Sequence, residues 1–140
     1  MFIYISKDPI NTNVLYNMLQ NKKVGAFYIF EGRVRDNNNS KYVDYLTYEA
    51  HKKLAEKEFN YIARETKNVF SSVIDIICIH RVGKIPVGDI ALCVAVLSKH
   101  RQDAFSACQY LVDEIKKRLP VWKEEHYLDY KTKMINTRSY

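Results

Sequence analysis

Two almost uninterrupted apolar runs, Val73–Val82 and Ile90–Ser98, constrain this chain more than anything else in it. A strand with one wet face alternates apolar and polar residues, whereas a continuous apolar run needs cover on both faces. These segments therefore predict buried strands, with Gly83, Pro86 and Gly88 supplying the turn between them.

Around that pair the elements read β-α-β-β-α-β-β-α, followed by a tail. Phe2–Ser6 reads as a short strand. Asp8-Pro9 predicts an N-cap followed by proline at the first helical position, and Val14, Leu15, Met18 and Leu19 carry that helix to about Asn21. Val24–Arg35 reads as a long strand, with Tyr42–Ala50 as its hairpin partner across the polar loop Asp36–Ser40. Ala55, Phe59, Ile62, Thr66 and Val69 form one face of a helix over Lys52–Phe70. Phe105, Cys108, Val112, Ile115 and Leu119 do the same over Gln102–Leu119. Hairpins mixed with packing helices argue for an α+β fold with a largely antiparallel sheet, a neighbour of the ferredoxin-like arrangement.

At 140 residues, without repeats or Gly/Ser linkers, residues 1–140 are expected to form a single domain with a substantial core. No apolar run reaches membrane-spanning length, and Met1–Ser6 lacks the features of a signal peptide. Cys78, Cys93 and Cys108 are odd in number, lack CxxC spacing and fall at apolar positions. They read as small buried hydrophobes of a cytosolic protein. His51, His80, His100 and His126 show no metal-ligand spacing, so no metal site is expected. The net charge of +6 points to an anionic partner: nucleic acid, a phosphorylated small molecule or an acidic protein.

Chemistry concentrates in the segment from Lys116 to Glu125. Pro120 makes Leu119 the last helical residue, fixing Lys116 on a helix and leaving Lys123 on a turn that can fold back. Amines that share a cleft release protons more readily, which is how a lysine becomes a base or a nucleophile. At about 100° per residue, Lys117 points away from the apolar stripe and Lys116 lies at its edge. The plainer alternative is a solvated basic helix end that suits the helix dipole.

Arg33 and Arg35 share a strand face by alternation, either to grip a phosphate or to protect an edge strand. Ser98-Lys99-His100-Arg101 leads from a buried strand into a helix N-terminus, where N–H groups favour anions; the alternative is a capping turn. His80-Arg81-Val82-Gly83 reads as a strand terminus, and Glu49, Glu124 and Glu125 as counter-charges. His126, Lys131, Lys133 and Arg138 fall in a tail without an assigned place. The residues alone thus single out Arg35, His100, Arg101, Lys116 and Lys123, and suggest a phosphorylated ligand and lysine chemistry. A Walker loop and a dinucleotide fingerprint are both missing.

Several segments together resemble a known family. They are Gly25-Ala26-Phe27, Phe30-Glu31-Gly32-Arg33-Val34-Arg35, Leu46-Thr47-Tyr48-Glu49-Ala50 and His80-Arg81-Val82-Gly83 with Gly88-Asp89. Ser98-Lys99-His100-Arg101 with Ala104-Phe105 follows, then Ile115-Lys116 and Pro120-Val121-Trp122-Lys123-Glu124-Glu125. In this order, over a core of about 24–126 with a tail over 127–140, they resemble the catalytic (large) subunit of molybdopterin synthase, the MoaE family.

The resemblance implies an α/β hammerhead part with an added antiparallel sheet. It implies a cytoplasmic sulfurtransferase that converts cyclic pyranopterin monophosphate into the molybdopterin dithiolene. Sulfur would arrive as a thiocarboxylate on the C-terminus of a small ubiquitin-like, MoaD-type subunit. A homodimer of large subunits within a heterotetramer would build each pocket across its interface. By motif, Lys116 and Lys123 correspond to the catalytic lysines, and Arg35, His100 and Arg101 to the substrate-binding set, with no cofactor. A glycine–tryptophan element of the family is missing after the lysine motif, and the tail carrying Arg138 aligns poorly. With no fused small domain and no C-terminal Gly-Gly, the partner is expected to be a separate chain. A reading from another class is a small basic RNA-binding module without an enzyme's site, in which Phe27, Tyr28 and Phe30 stack bases beside Arg33 and Arg35.

Overall fold

A computed structural model describes residues 1–128 and the backbone of a strand at Ile135–Arg138. In chain order the strands are β1 (Phe2–Ser6), β2 (Ala26–Arg33), β3 (Asn37–Asn38), β4 (Lys41–Ala50), β5 (Val73–Arg81), β6 (Gly83–Pro86), β7 (Ile90–Ser98), β8 (Val121–Tyr127) and β9 (Ile135–Arg138). Helix α1 spans Lys52–Val69 and α2 spans Arg101–Arg118. The fold is α+β.

The two apolar runs become β5 and β7, antiparallel neighbours inside a four-stranded sheet of order β1-β5-β7-β2. Only the β1–β5 pairing is parallel. Alternation explains why these strands are apolar throughout. Ile76, Cys78, Val94 and Val96 face α1 and α2, joining Phe59, Ile62, Leu111 and Ile115 in the main core. Ile77, Ile79, Cys93, Ala95 and Leu97 face the other way, under Leu15 and Met18 of a 3₁₀ segment at Thr12–Gln20. Each fully buried aliphatic or aromatic side chain stabilises the fold by about 1.5–3 kcal/mol. All three cysteines are buried, and burial raises their thiols, Cys93 to about 11 and Cys108 to about 12.

A second, antiparallel sheet runs β3-β4-β8-β9, with β6 also paired to β4. This corrects one expectation. Tyr42–Ala50 is not the hairpin partner of the long strand: β2 pairs with β7, and β4 pairs with β8 and β6. The reason lies in the side chains. Phe27 and Ile29 on one face of β2, and Phe30 on the other, all need cover, which the doubly covered sheet supplies. The intervening loop instead makes its own turn. Asn39 (φ 51°) and Ser40 (φ 64°) close a two-residue hairpin between β3 and β4, as a type I′ turn requires. The first helical segment also departs from expectation. Asn11, not Asp8, is its cap, accepting a 3.0 Å bond from the Asn13 N–H, because the segment starts only at Thr12, while Asp8 lies in a bend with its N–H bonded to Ser6 Oγ.

The HRVG segment closes β5 as a structural clasp. His80 donates from Nδ1 to the Arg81 carbonyl at 2.8 Å, and burial pushes its imidazole down to about 4. Arg81 spans the following turn to Asp89 at 2.8 Å, around Gly83 and Gly88, both at positive φ. Among the described residues no helix is long and apolar enough to cross a membrane.

Candidate functional site

Where the two sheets meet the end of α2 there is a cavity of about 310 Å³. Its floor is apolar, from Phe30, Val43, Leu46 and Leu92, and its polar lining includes Arg33, Arg35, Lys116, Lys123 and Glu125.

The lysines reach it by different routes. Helix α2 ends when the Leu119 N–H bonds back to Ile115 O, and Pro120 cannot continue the ladder. Lys116 therefore sits on the last helical turn. The chain then enters β8, so Lys123 lies on a strand and not on the expected turn. The β4–β8 register pairs Tyr48 with Lys123 and Leu46 with Glu125. Strand alternation puts these four on the cavity face, with Trp122, Glu124 and His126 on the other. His126 there stacks on Tyr45 at 4.2 Å and meets Thr47 Oγ1 at 3.1 Å.

The end of α2 is pinned from outside the cavity. Arg118 points away from it, bonding Glu65 at 2.6 Å and Glu58 at 2.8 Å on α1, with Glu114 at 3.5 Å. The Arg118 hydrogen bond, more than its charge, holds the Glu65 carboxyl below the usual range.

Inside, Glu125 is the buried counter-charge. Its Oε1 lies 3.5 Å from Lys123 Nζ, and its Oε2 accepts a 2.6 Å bond from Asn38 and a short one from Tyr127 OH. Burial alone would raise this carboxyl. Hydrogen bonds from Tyr127 and Asn38, with the Lys123 charge, outweigh burial and hold it low. Burial, reinforced by Glu125, pushes the Tyr127 phenol up to about 12.

The two arginines differ. Arg33 is occupied by Glu31 (2.6 and 2.9 Å) and by the Gly88 carbonyl (2.7 Å). Arg35 makes no hydrogen bond or ion pair among the described residues, so its guanidinium is available to an anion. A register shift at Gly32/Arg33 ends β2, so alternation does not extend to Arg35.

His100 and Arg101 do not line this cavity. They are exposed at the opposite end of α2, about 22 Å from Lys116 along the helix axis at 1.5 Å per residue. Their turn is internally satisfied. Ser98 Oγ accepts the His100 N–H, and Asp103 accepts both the N–H and the hydroxyl of Ser72. Three of the five singled-out cations therefore share a cavity within one chain.

The sequence reading assigned no role in the site to Asn38, Tyr48 or Tyr127. Reading Val121–Tyr127 as a strand would have found one link, since alternation alone sets Lys123, Glu125 and Tyr127 on one face. The base-stacking arrangement does not form: Phe27 packs against Tyr16 on one face of the sheet, while Tyr28 meets Phe105 on the other. Lys131 and Lys133 lie outside the described residues, and Arg138 is described only as the backbone partner of Trp122.

Comparison with known proteins adds four findings. Residues 5–118 match the family described as MoaE protein. The chain is 42% identical over 125 residues to the molybdopterin synthase catalytic subunit of Pyrococcus abyssi, covering 88% of this chain and 84% of that protein. Among solved structures it is similar to molybdopterin synthase from Staphylococcus aureus, with TM-score 0.86, 34% identity and coverage of 93% and 94%. A complex of subunits 1 and 2 of molybdopterin-converting factor from Helicobacter pylori shares the fold, with TM-score 0.77, 22% identity and coverage of 97% and 91%.

Proposed function

We propose a function from the premise that this chain belongs to the MoaE family: it works as the catalytic subunit of a molybdopterin synthase. Its reaction passes sulfur from the thiocarboxylated C-terminus of a small ubiquitin-like subunit to cyclic pyranopterin monophosphate, leaving a dithiolene. The observation that carries this reading is the meeting of Arg35, Lys116 and Lys123, from three separate elements, in one cavity.

The chemistry suits those groups. A thiocarboxylate tail and a pterin phosphate are both anions, and a half-enclosed cationic cavity attracts both. Arg35 takes the phosphate, the ligand a planar guanidinium fits best. Sulfur bonds to a pterin side-chain carbon as an oxygen substituent leaves that carbon. The acyl C–S bond of the thioester so formed then breaks as water, directly or after a lysine amine, takes the acyl group. Lys116 assists that step by proton transfer, or its amine takes the acyl group, which water then releases as the partner's carboxylate. Lys123 orients the substrate or shuttles a proton, held in place by Glu125.

His100 and Arg101 complete the anion site from a second copy in a homodimer, and two small subunits make a heterotetramer. Support for this comes from β2, the outermost strand of its sheet. The start of β2 lies beside the start of α2, since Ala26 pairs with Ser98, and its end leads to Arg35. Two copies joined antiparallel along β2 would set His100 and Arg101 of one toward the cavity of the other. The protein acts as one domain over 1–140, in the cytoplasm.

The direct test is Lys116→Ala, assayed for dithiolene formation with thiocarboxylated small subunit. A loss of about 100-fold or more in turnover is expected. Near-normal turnover removes Lys116 from the mechanism.

A further inference from the structure

The hairpin closed by Asn39 and Ser40 lies over the cavity, and its tip is tied to β8 at several points. Asn38 donates from Nδ2 to Glu125 Oε2 at 2.6 Å. Lys41, paired with Asn38 across the turn, stands over the Tyr127 ring at 5.4 Å. The Leu128 N–H donates to the Tyr42 carbonyl at 3.0 Å. Two consecutive non-glycine residues at positive φ are an uncommon way to build a loop. Here the turn they form holds Asn38 against a buried carboxylate.

A carboxylate has two oxygens, and in Glu125 they are divided. Oε2 is taken by Asn38 and Tyr127, and Oε1 is the one near Lys123. Without the hairpin's amide only the Tyr127 hydroxyl would hold Oε2, and Oε1 would be less firmly directed at the ammonium. We propose that Asn38 is a positioning residue for the reaction: by fixing Glu125 Oε2 it turns Oε1 toward Lys123 and sets where that amine stands in the cavity. Asn38 acts through Glu125. The activity half of this inference rests on the functional reading above, whereas the structural half does not.

Of the charged and titratable groups around Glu125, Lys123 and Tyr127 from β8 touch it, Lys41 from β4 stands over Tyr127, and Arg33, Arg35 and Lys116 line the same cavity. Among the groups that hold the Glu125 carboxyl low, the Asn38 hydrogen bond ranks beside Tyr127. Losing it should raise the Glu125 titration midpoint, because a hydrogen bond that favours the ionised carboxylate is removed.

Two measurements test the proposal. In the isolated protein, carbon NMR titration of Glu125 should show that upward shift in Asn38→Ala, with the fold intact by circular dichroism. In the assembled enzyme, Asn38→Ala should lower kcat about tenfold with little change in KM. Combined with Glu125→Gln, it should cost little more than Glu125→Gln alone, because both changes break the same link. An unmoved Glu125 midpoint, or independent effects that multiply in the double variant, overturns the proposal. Wild-type enzyme that forms no dithiolene overturns the functional reading instead, and the titration then decides the role of Asn38 by itself.

Discussion

The two ends of α2 carry similar charge and are built in opposite ways. At the first end, Ser98, Ser72 and Asp103 satisfy one another and the backbone, while His100 and Arg101 stand outside in solvent. At the last, Arg118 fastens the helix to α1 from behind, and Lys116, itself exposed, lines the cavity that Arg35 and Lys123 also line. One end hides its polar groups in its own framework and leaves its cations in solvent; the other sets one of its cations, Lys116, at the mouth of a hollow. Basic residues at a helix terminus therefore do not by themselves mark a site. What matters is whether another element arrives to face them, and at the last end Pro120 sends the chain directly into β8.

The contrast is broken most decisively by mixing variants. Lys116→Ala and Arg101→Ala should each abolish most turnover. If Arg101 serves the cavity of a second copy, unfolding and refolding the two variants together should restore about a quarter of wild-type activity, through dimers holding one intact pocket. No recovery would mean that both residues act within one chain, and an active Arg101→Ala variant would mean that Arg101 has no part.

Acid should separate the ends next. Burial holds His80, whose ring meets Tyr48 edge-on at 4.9 Å beside the cavity, at about 4, below the 6.5 of an exposed imidazole. Between those values the unfolded chain binds a proton that the folded chain refuses. Stability is thus complete above pH 6.5 and declines as pH falls toward 4, by about 3 kcal/mol. At the other end Asp103, its carboxyl held low chiefly by the Ser72 hydroxyl, gives way only below the ordinary carboxylate range. Urea midpoints from pH 7 to 4, with amide exchange read in β4 and in the first turn of α2, check the order. Simultaneous loosening of both would remove the distinction.

The smallest effect concerns the first end alone. A Cβ on Gly25 would lie 2.2 Å from the Lys99 carbonyl oxygen, so Gly25→Ala must displace the junction that carries His100. A stability loss of about 1–3 kcal/mol is expected by calorimetry. Ligand-free NMR shifts of Lys123 and Glu125 should stay in place, since the cavity end is braced separately.

Local pattern made much of this legible beforehand. Apolar periodicity located β5, β7, α1 and α2 within a residue or two, because those elements bury whole faces. Pairing was less accessible. Nothing local in Tyr42–Ala50 says that its partner is β8, some seventy residues on, and short loops bias any reading toward hairpins. Val121–Tyr127 was hidden because its buried face carries Lys123 and Glu125, whose fit depends on each other and on Asn38. Arg35, Lys116 and Lys123 could be nominated by residue type, but only the folded chain separates them from His100 and Arg101.

The turn at Leu119-Pro120 has one more implication. Lys116 belongs to the helical layer and Lys123 to the second sheet, so the gap between the two amines measures the spacing of those layers. A helix displaced anywhere along its seat on the sheet would open or narrow that gap like the jaws of a caliper. Substitutions deep in the packing between α1 and α2, far from the cavity, thereby acquire leverage over the distance between the two amines.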